Sequence, residues 1–481
     1  MTSYQQLEPR EVFHWFYELN QIPRCSNHEK AASDFLLKFA RDRGLDVKQD
    51  EALNILIRKE GSPGYENAPT VILQGHMDMV CEKTADSTHD FSCDPIEMVV
   101  DGEYLRAKDT TLGGDDGIAV AFALAILDDD TLEHPPLEVL ITTAEETGMD
   151  GAMAVKKGQL RGKYLLNIDS EDEGVFLVSC AGGATCRFHF PAEKKAVSSP
   201  AFSLSISGLQ GGHSGQQIAL GRGNALKILA RLMQSPGDDF SYRFASIEGG
   251  SKHNAIPLSA KAVFCVEEGD AESFCGRIKE EAEKIKSELQ TVDPELQVVI
   301  EKAEAGSAMS VEDSRRVVDF LFLTPDGVQA MSHDIHGLVQ TSLNTAVLSP
   351  TDEGLELITS VRSSLLSSRH ELIARLARLA ELLGVGVSVG DGYPAWEYRP
   401  HSPLRDLCLK VWKEETGREG KVEAIHAGLE CGLLSEVLPD TDMISFGPDL
   451  YDVHSTREKL RIASVKTVYD FTKALLRNIK A

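Results

Sequence analysis

The sequence predicts an α/β protein with a second domain inserted into the first. Its 481 residues exceed the roughly 250 to 300 at which a single hydrophobic core stops growing. In residues 1–186, short apolar segments of strand type alternate with helical segments. That alternation is typical of a mixed, largely parallel sheet flanked by helices. After residue 186 the pattern changes to that of an α+β domain.

Hydrophobic periodicity predicts the first elements. Apolar residues recur at helical spacing in Pro9–Leu19 and Glu29–Arg43, and Asp115–Leu127 is a helical segment rich in alanine and isoleucine. Three short runs of leucine and β-branched residues have the composition of buried strands. They are Val71–Leu73, Leu137–Ile141 and Tyr164–Ile168.

Residues 187–396 are predicted to form the inserted domain, in two lobes. The first lobe has the strand, helix, strand, strand, helix, strand order of a ferredoxin-like sandwich. Its strands are Phe202–Ile206, Arg243–Ile247, Ala262–Val266 and Leu296–Ile300, with helices at Asn224–Met233 and Ala271–Leu289. A weaker repeat has helices at Val311–Phe322 and Arg369–Leu383 and strands at Leu338–Leu348, Leu355–Val361 and Val385–Val389. Residues 397–481 are expected to rejoin the first domain, because a histidine there completes the candidate site.

Composition excludes several classes of partner. With 49 basic and 75 acidic side chains the net charge is -26, which argues against nucleic acid or an anionic membrane as the main partner. The nine cysteines are scattered without a CxxC pair, so we expect free thiols in a reducing compartment. The N-terminus lacks a signal-peptide pattern, and no stretch approaches about 18 uninterrupted apolar residues. A soluble cytoplasmic protein is therefore expected.

Acidic and histidine residues follow the predicted strands of the first domain. His76 comes after the first buried strand, Glu145 and Glu146 after the second, and Asp169 after the third. In α/β sheets, ligands bind beyond the carboxyl ends of the strands. We therefore expect these four side chains to converge on one edge of the sheet.

Individually these residues have ordinary explanations. His76 and Asp78 form a His-x-Asp pair, in which the carboxylate can orient a metal-binding imidazole, but an exposed loop pair is an equal alternative. Asp115 follows two glycines at the start of a helix, where Asp commonly caps the helix. Adjacent carboxylates such as Glu145 and Glu146, at the exit of a buried strand, need cations or protons to offset their repulsion.

A pair of metal ions explains all of these residues together. The imidazoles and carboxylates are ligands that Zn²⁺ accepts, and one carboxylate can bridge two ions about 3.5 to 4 Å apart. The predicted ligands are His76, Asp115, Glu146, Asp169 and His454. The sequence thus predicts a two-metal hydrolase.

Longer motifs around these residues resemble the aminoacyl-histidine dipeptidase family, also called peptidase D or cytosol nonspecific dipeptidase. This family belongs to the co-catalytic zinc metallopeptidases, with carboxypeptidase G, peptidase T and aminoacylase. The motifs lie at 74–78, 112–119, 143–148, 167–171, 211–215, 426–432 and 445–448. The resemblance implies a two-zinc catalytic domain formed by residues 1–186 and 397–481, with residues 187–396 as an inserted lid domain.

The resemblance also implies how the metals are held. His76 and Asp169 would bind one zinc, Glu146 and His454 the other, and Asp115 would bridge them. The family often has a cis peptide bond after the bridging aspartate, which here is the Asp115–Asp116 bond. Co²⁺ or Mn²⁺ are the alternatives to Zn²⁺, because metal availability competes with geometry.

Two further residues near the metals would take catalytic roles. Asp78 would orient His76, and Glu145 would be the general base that takes a proton from a metal-bridging water and passes it to the leaving amine.

Four substrate-binding residues follow from the same resemblance. His213 would reach the substrate carbonyl, and Asn254 and Arg362 would bind the C-terminal carboxylate, for which a planar guanidinium is well suited. Glu430 would contact the free amino group. A surface loop histidine and a structural salt bridge are the competing interpretations of His213 and Arg362.

The expected function is metal-dependent hydrolysis of unblocked dipeptides, including Xaa-His. A homodimer is one possible assembly. Alternatives are an aminotripeptidase, an N-acyl amino acid deacylase, or a catalytically retired binding or assembly protein. One departure affects the last ligand: the family usually continues His-Ser-Pro-x-Glu, whereas this chain has His454-Ser455-Thr456-Arg457-Glu458. We expect metal binding to survive this change and the shape of the pocket near His454 to be affected.

Overall fold

A computed structural model describes residues 4–390 and 392–480, which divide into two compact units. The first contains the chain up to Ser179, Tyr398–Ala424 and the chain from Leu429 onward. The second contains Cys180–Glu397 and the short segment Ile425–Gly428. The inserted unit begins earlier than the predicted residue 187, because that position lies inside one continuous strand, Gly182–Pro191.

The first unit contains the predicted alternation of helices and strands. Its helices are Arg10–Asn20, Lys30–Asp42, Gly114–Asp128, Glu145–Gly148, Asp150–Ala154, Pro403–Thr416, Glu430–Val437 and Ile462–Asn478, after a 3-10 turn at Tyr4–Gln6. Eight strands form its main sheet, in the order Asp46–Gln49, Ile55–Lys59, Leu137–Thr142, Val71–His76, Tyr164–Asn167, Asp442–Ser445, Val175–Cys180 and Lys421–Ile425. A small four-stranded sheet has the order Leu450–Tyr451, Lys459–Arg461, Tyr104–Ala107 and Met98–Asp101.

The centre of the main sheet is parallel. Val71–His76 pairs in parallel with Leu137–Thr142 on one side and Tyr164–Asn167 on the other, and Asp442–Ser445 extends the parallel region. Antiparallel strands flank this region. The predicted mixed sheet is confirmed, but it is parallel only at its centre and not over most of its width. The parallel centre brings several strand ends to one edge.

One helix fills the space against the central strand. The residues from Ile118 to Leu127 are each at most 2% exposed, because the helix is apolar on all sides and lies in the core. It approaches the strand so closely that a Cβ on Gly75 would lie 2.4 Å from Asp116 Oδ2 and 2.7 Å from Ala119 Cβ. Any side chain at position 75 would push the start of this helix away from the strand.

The second unit is built on one antiparallel sheet of nine strands. The main path is Gln297–Ala303, Ala201–Ser207, Ala260–Val266, Tyr242–Gly249, Val339–Thr351, Gly354–Ser363, Gly182–Pro191 and Gly386–Val389, with Gly327–Met331 beside Val339–Thr351. Short strand pairs lie at Lys195–Ala196 with Ser307–Ala308, and at Gly212–His213 with Ala255–Ile256. The helices are Ala225–Gln234, Ala271–Leu289, Val311–Leu323 and Leu366–Leu383, with a 3-10 turn at Ile218–Leu220.

The two predicted lobes share this sheet. Tyr242–Gly249 of the first lobe pairs with Val339–Thr351 of the second, so their strands form a continuous surface. Phe188, Phe244, Phe264 and Phe320, each fully buried, lie in one core that draws on both lobes. The lobes therefore form a single compact body.

The expectation that all cysteines are free is wrong. Cys25 and Cys81 form a disulfide with their Cα atoms 5.7 Å apart. The other seven cysteines are not disulfide-bonded, and six of these seven are buried. Sequence spacing gave no sign of this pair, because the two residues are 56 positions apart.

The described helices fall short of the length or apolar character that a membrane-spanning helix needs. None within residues 4–390 and 392–480 is both long enough and apolar enough to cross a bilayer.

Candidate metal centre

Five elements of the first unit bring the predicted ligands to one edge of the main sheet. His76 is the last residue of its strand, and Asp169 lies two residues beyond Tyr164–Asn167. Glu146 follows the strand Leu137–Thr142 by way of a tight turn. Asp115 is in the first turn of the core helix, and His454 comes from the loop between Leu450–Tyr451 and Lys459–Arg461.

Asp115 lies between the two histidines. Its Oδ1 is 3.2 Å from His76 Nε2, and its Oδ2 is 3.1 Å from His454 Nε2. His76 Nε2 is also 3.8 Å from Asp169 Oδ1, and His454 Nε2 is 2.9 Å from Glu146 Oε2. Each oxygen of Asp115 therefore belongs to a different cluster of ligand atoms.

These distances fit ligands that share a cation. Two atoms bound tetrahedrally to one zinc at about 2.0 Å lie about 3.3 Å from each other. The four nitrogen–oxygen distances, between 2.9 and 3.8 Å, are of that size. The donor set of imidazole and carboxylate is also the one that zinc accepts, so the residues present fit a pair of divalent ions.

An unsatisfied atom gives independent support for a cation. Glu146 Oε1 is buried and has no hydrogen-bond partner among the described residues. Burying a carboxylate oxygen without a partner is costly, and a metal ion is one group that removes this cost. Groups of ligand atoms close enough to hold an ion include His76, Asp115 and Glu146, and also His76, Asp116 and Asp169.

The ionisable groups of this site have strongly shifted pKa values. Burial raises the pKa of Asp169 well above its usual value. Hydrogen bonds to Asp115 and Glu146 raise the pKa of His454 to about 11. Burial would raise the pKa of Asp115, but hydrogen bonds to His454 and His76 lower it. Such clustering of buried charges is typical of functional sites, and divalent cations would offset the repulsion.

Asp78 connects His76 to the turn that carries the two glutamates. Its Oδ1 lies 3.4 Å from His76 Nδ1 and accepts a hydrogen bond from the backbone N–H of Glu145 at 3.1 Å. Its Oδ2 accepts from Ser26 Oγ at 2.8 Å and from the N–H of Glu146 at 3.3 Å. The carboxylate therefore lies against the ring of His76 and holds the backbone of Glu145 and Glu146.

Glu145 is a half-buried carboxylate beside the candidate ligands. Burial raises its pKa to about 8, the His76 charge opposes this rise, and the neighbouring Glu430 and Glu146 add to it. The residue before it, Ala144, has a left-handed backbone with φ of 51°, and its N–H donates to Glu29 Oε1 at 3.0 Å. A left-handed non-glycine residue costs about 1 to 3 kcal/mol and is kept only where its surroundings enforce it.

Two residues that the predicted site did not include hold the turn before Asp115. Glu458 accepts hydrogen bonds from the N–H groups of Leu112, Gly113 and Gly114 at 2.7 to 3.0 Å. Arg24, only 1% exposed, donates to Gly113 O at 2.6 Å. The family's terminal glutamate, retained here as Glu458, therefore supports the loop of the bridging aspartate, and Asp115–Asp116 is a cis peptide bond as the resemblance implied.

His213 lies in the second unit, in the short strand Gly212–His213. Its Nδ1 accepts hydrogen bonds from the N–H groups of Gly215 at 3.3 Å and Gln216 at 3.1 Å. Burial and the charge of Arg362 lower its pKa. Because Nδ1 is an acceptor in the neutral ring, the proton lies on Nε2, which is then a donor.

Arg362 lies in the strand Gly354–Ser363 and is 8% exposed. Nη1 donates to the hydroxyl of Tyr393 at 2.7 Å, and Nε is buried with no hydrogen-bond partner among the described residues. The neighbouring His426 is hydrogen-bonded through Nε2 to Ser342 Oγ, 2.8 Å away. Burial, and to a smaller extent the charge of Arg362, lowers the pKa of His426 to about 3. Arg362 is therefore a buried cation with an unsatisfied donor, and it forms no salt bridge with another described residue.

Asn254 and Glu430 lie in different surroundings. The backbone oxygen of Asn254 accepts from Ser214 N, next to His213, at 2.9 Å. Glu430 is fully buried, and its Oε2 accepts from Gln74 Nε2 at 2.5 Å and Thr142 Oγ1 at 2.7 Å. Burial raises its pKa to about 7. Because Glu430 has no exposed surface, this conformation does not support the predicted contact between its carboxylate and a substrate amino group.

Comparisons with known proteins identify the family of this chain. Residues 72–478 match peptidase family M20/M25/M40. The chain is 36% identical over its whole length to the cytosol non-specific dipeptidase of Escherichia coli strain K12, which it covers completely. It also resembles the solved structure of aminoacylhistidine dipeptidase from Vibrio alginolyticus, with 35% identity and a TM-score of 0.93 over 99% of this chain and 98% of that one. An aminopeptidase PepT structure from Bacillus cereus, at 14% identity and a TM-score of 0.55 over 98% and 99% of the two chains, shares the fold alone.

Proposed function

Because this chain belongs to peptidase family M20/M25/M40, we propose that it is a dinuclear metallopeptidase that hydrolyses unblocked dipeptides, including Xaa-His. The observation that carries the proposal is the position of Asp115, whose two oxygens face His76 and His454 at 3.2 and 3.1 Å. The printed names of the Escherichia coli and Vibrio alginolyticus relatives support the choice of dipeptides. The name of the first also supports a cytoplasmic location.

The proposed ligand set places His76 and Asp169 on one ion and Glu146 and His454 on the other, with Asp115 between them. Zn²⁺ is the proposed metal, with Co²⁺ and Mn²⁺ as alternatives that use the same donors. When bound, two such ions supply Lewis acidity for the scissile carbonyl and lower the pKa of a water molecule toward 7.

Glu145 is proposed to move the proton. Its carboxylate accepts a proton from the attacking water and delivers it to the amine that leaves. The unusual turn at Ala144 and the hydrogen bond from Glu145 N–H to Asp78 support this role, because they fix the backbone that carries the carboxylate. Asp78 keeps the ring of His76 in the orientation that a ligand needs.

Residues of the second unit are proposed to bind the rest of the substrate. His213, with its proton on Nε2, donates to the developing oxyanion. Arg362 pairs with the C-terminal carboxylate, and its buried Nε without a partner supports this. Asn254 is proposed beside Arg362 as a second group for that carboxylate.

A substrate panel tests the proposed class directly. We expect free dipeptides to be cleaved, including Xaa-His, whereas tripeptides and N-acyl amino acids are cleaved much more slowly. Removal of metal with a chelator should abolish activity, and Zn²⁺, Co²⁺ or Mn²⁺ should restore it. The measurement is the initial rate for each substrate before chelation, after chelation and after add-back.

The same panel separates the competing functions. Faster cleavage of tripeptides would favour an aminotripeptidase, and hydrolysis of acylated but not free substrates would favour a deacylase. Metal binding without hydrolysis of any substrate would indicate a retired binding protein.

Arg362→Ala tests carboxylate recognition. We expect KM for free dipeptides to rise about 10- to 100-fold, since a hydrogen bond to a charged group contributes roughly 1.5 to 3 kcal/mol. C-terminally amidated dipeptides, which lack the carboxylate, should be affected far less. Arg187→Ala is the control, because Arg187 is exposed and pairs with Glu356 at the surface of the same sheet. Equal losses for free and amidated substrates would remove Arg362 from this role.

A further inference from the structure

The disulfide between Cys25 and Cys81 joins two segments beside the candidate metal centre. Cys25 lies between Arg24 and Ser26, and Cys81 lies three residues after Asp78. The two cysteines are 56 positions apart in sequence. The bond therefore ties the segment before the helix Lys30–Asp42 to the loop that follows the ligand His76.

Both neighbours of Cys25 contact the loop of His76. Ser26 Oγ donates to Asp78 Oδ2 at 2.8 Å. Arg24 Nη1 donates to the backbone oxygens of Met77 at 3.0 Å and Asp78 at 3.2 Å, and Met79 N–H donates to the backbone oxygen of Arg24 at 3.2 Å. These four hydrogen bonds are made by the residues directly before and after Cys25, which forms the disulfide.

Arg24 extends the contact to the second ligand loop. Nη2 donates to Gly113 O at 2.6 Å and to Asn20 Oδ1 at 3.0 Å. A Cβ on Gly113 would lie 2.3 Å from Nη2, so the backbone of this loop lies directly against the guanidinium. One buried side chain thus holds the loop of His76 and Asp78 against the loop that leads to Asp115.

Both cysteines of the pair are partly exposed. Cys25 and Cys81 are both half-buried, whereas six of the seven other cysteines are buried and Cys93 is exposed. A half-buried bond between two segments of backbone can be attacked by a small thiolate without unfolding the domain. Cys93 supplies an exposed comparison that is not disulfide-bonded.

We propose that Cys25 and Cys81 form a redox-modification site that controls how firmly the metal centre is held. In the disulfide form, the segment Arg24–Ser26 is fixed and keeps both ligand loops in place. In the dithiol form, this segment is held only by hydrogen bonds, and the ligands are less well ordered. The inference rests on the proposed metallopeptidase function.

The exchange is an ordinary thiol–disulfide reaction with a small-molecule disulfide. One cysteine thiolate attacks the small disulfide, forms a mixed disulfide and releases one small thiolate. The second cysteine then attacks the mixed disulfide, forms the Cys25–Cys81 bond and releases the other thiolate. The protein loses two electrons and two protons, and the small disulfide is reduced to two thiols.

The test compares the oxidised and reduced forms of the metal-loaded protein. Each form is prepared with a small disulfide or dithiol, and intact mass shows the loss or gain of two hydrogens. Transfer of Zn²⁺ to a chromogenic chelator then measures metal retention without reference to activity. We expect the reduced form to lose metal about ten-fold faster, the lower end of the effect of removing groups that support ligands. We also expect a lower kcat for the reduced form than for the oxidised form, and this difference should shrink as the concentration of free Zn²⁺ is raised.

Variants assign the effect to this pair. The Cys25→Ser/Cys81→Ser protein should behave like the reduced form under both conditions, and Cys93→Ser should respond as the unchanged protein does. Equal metal transfer from the two forms would overturn the proposal, and so would two free thiols at Cys25 and Cys81 after equilibration with the small disulfide. If the double variant does not fold, the comparison of the two forms of the unchanged protein decides alone. Absence of dipeptide hydrolysis in either form would instead refute the proposed function, because metal transfer is measured separately.

Discussion

Glu145→Gln is expected to keep both metal ions and to lower kcat by about 10²- to 10⁴-fold, the usual contribution of a positioned acid–base group. Glutamine has nearly the shape of glutamate, and the hydrogen bond from the backbone N–H of residue 145 to Asp78 does not depend on the side chain. What is lost is the ability to accept a proton. KM should change little, because the substitution removes no proposed contact with bound substrate.

The adjacent residue supplies a matched control. Glu146→Gln should lose metal, because Glu146 Oε2 lies 2.9 Å from His454 Nε2 in the proposed ligand cluster. Metal content by elemental analysis and kcat for one dipeptide therefore distinguish the two neighbours. Retained turnover in Glu145→Gln, or loss of metal from it, would show that the roles are assigned wrongly.

The secondary structure was predictable because the periodicity is strong. Each predicted helix and strand is present. Each predicted end lies within about three residues of the observed one, as for Val71–His76 and Gly114–Asp128. The strand ends then converge because parallel strands with buried sequences lie side by side. Short pairs such as Leu450–Tyr451 with Lys459–Arg461 were not predicted, since two or three residues carry no period.

The parts that were not predicted depend on contacts distant in sequence. Nothing near Arg24 marks it as buried, and its partners Met77 and Gly113 are 53 and 89 positions away. The Cys25–Cys81 bond was not predicted for the same reason. Glu458 belongs to the family motif, but the motif does not show that its carboxylate accepts hydrogen bonds from three backbone N–H groups. Sequence patterns thus indicated the candidate ligands, and only the structure identified the contacts that hold them.

Asp115→Ala is expected to have the largest effect on metal binding. Asp115 is the residue proposed to belong to both clusters, and its two oxygens face His76 at 3.2 Å and His454 at 3.1 Å. Without them each ion keeps two proposed protein ligands, His76 with Asp169 or His454 with Glu146. We expect less than one tightly bound ion per chain and dipeptide hydrolysis near background.

Thermal unfolding with and without Zn²⁺ measures this loss independently of activity. An ion that binds the folded state stabilises it in proportion to the logarithm of its concentration over the dissociation constant. Zn²⁺ should therefore raise the melting temperature of the unchanged protein and have little effect on Asp115→Ala. Asp128→Ala is the control, since Asp128 ends the same helix and makes a partly exposed pair with Arg43, which contributes about 1 kcal/mol or less. If Asp115→Ala loses only one ion and still melts higher with Zn²⁺, Asp115 serves one cluster, and the bridging arrangement on which the proposed hydrolysis depends is incorrect.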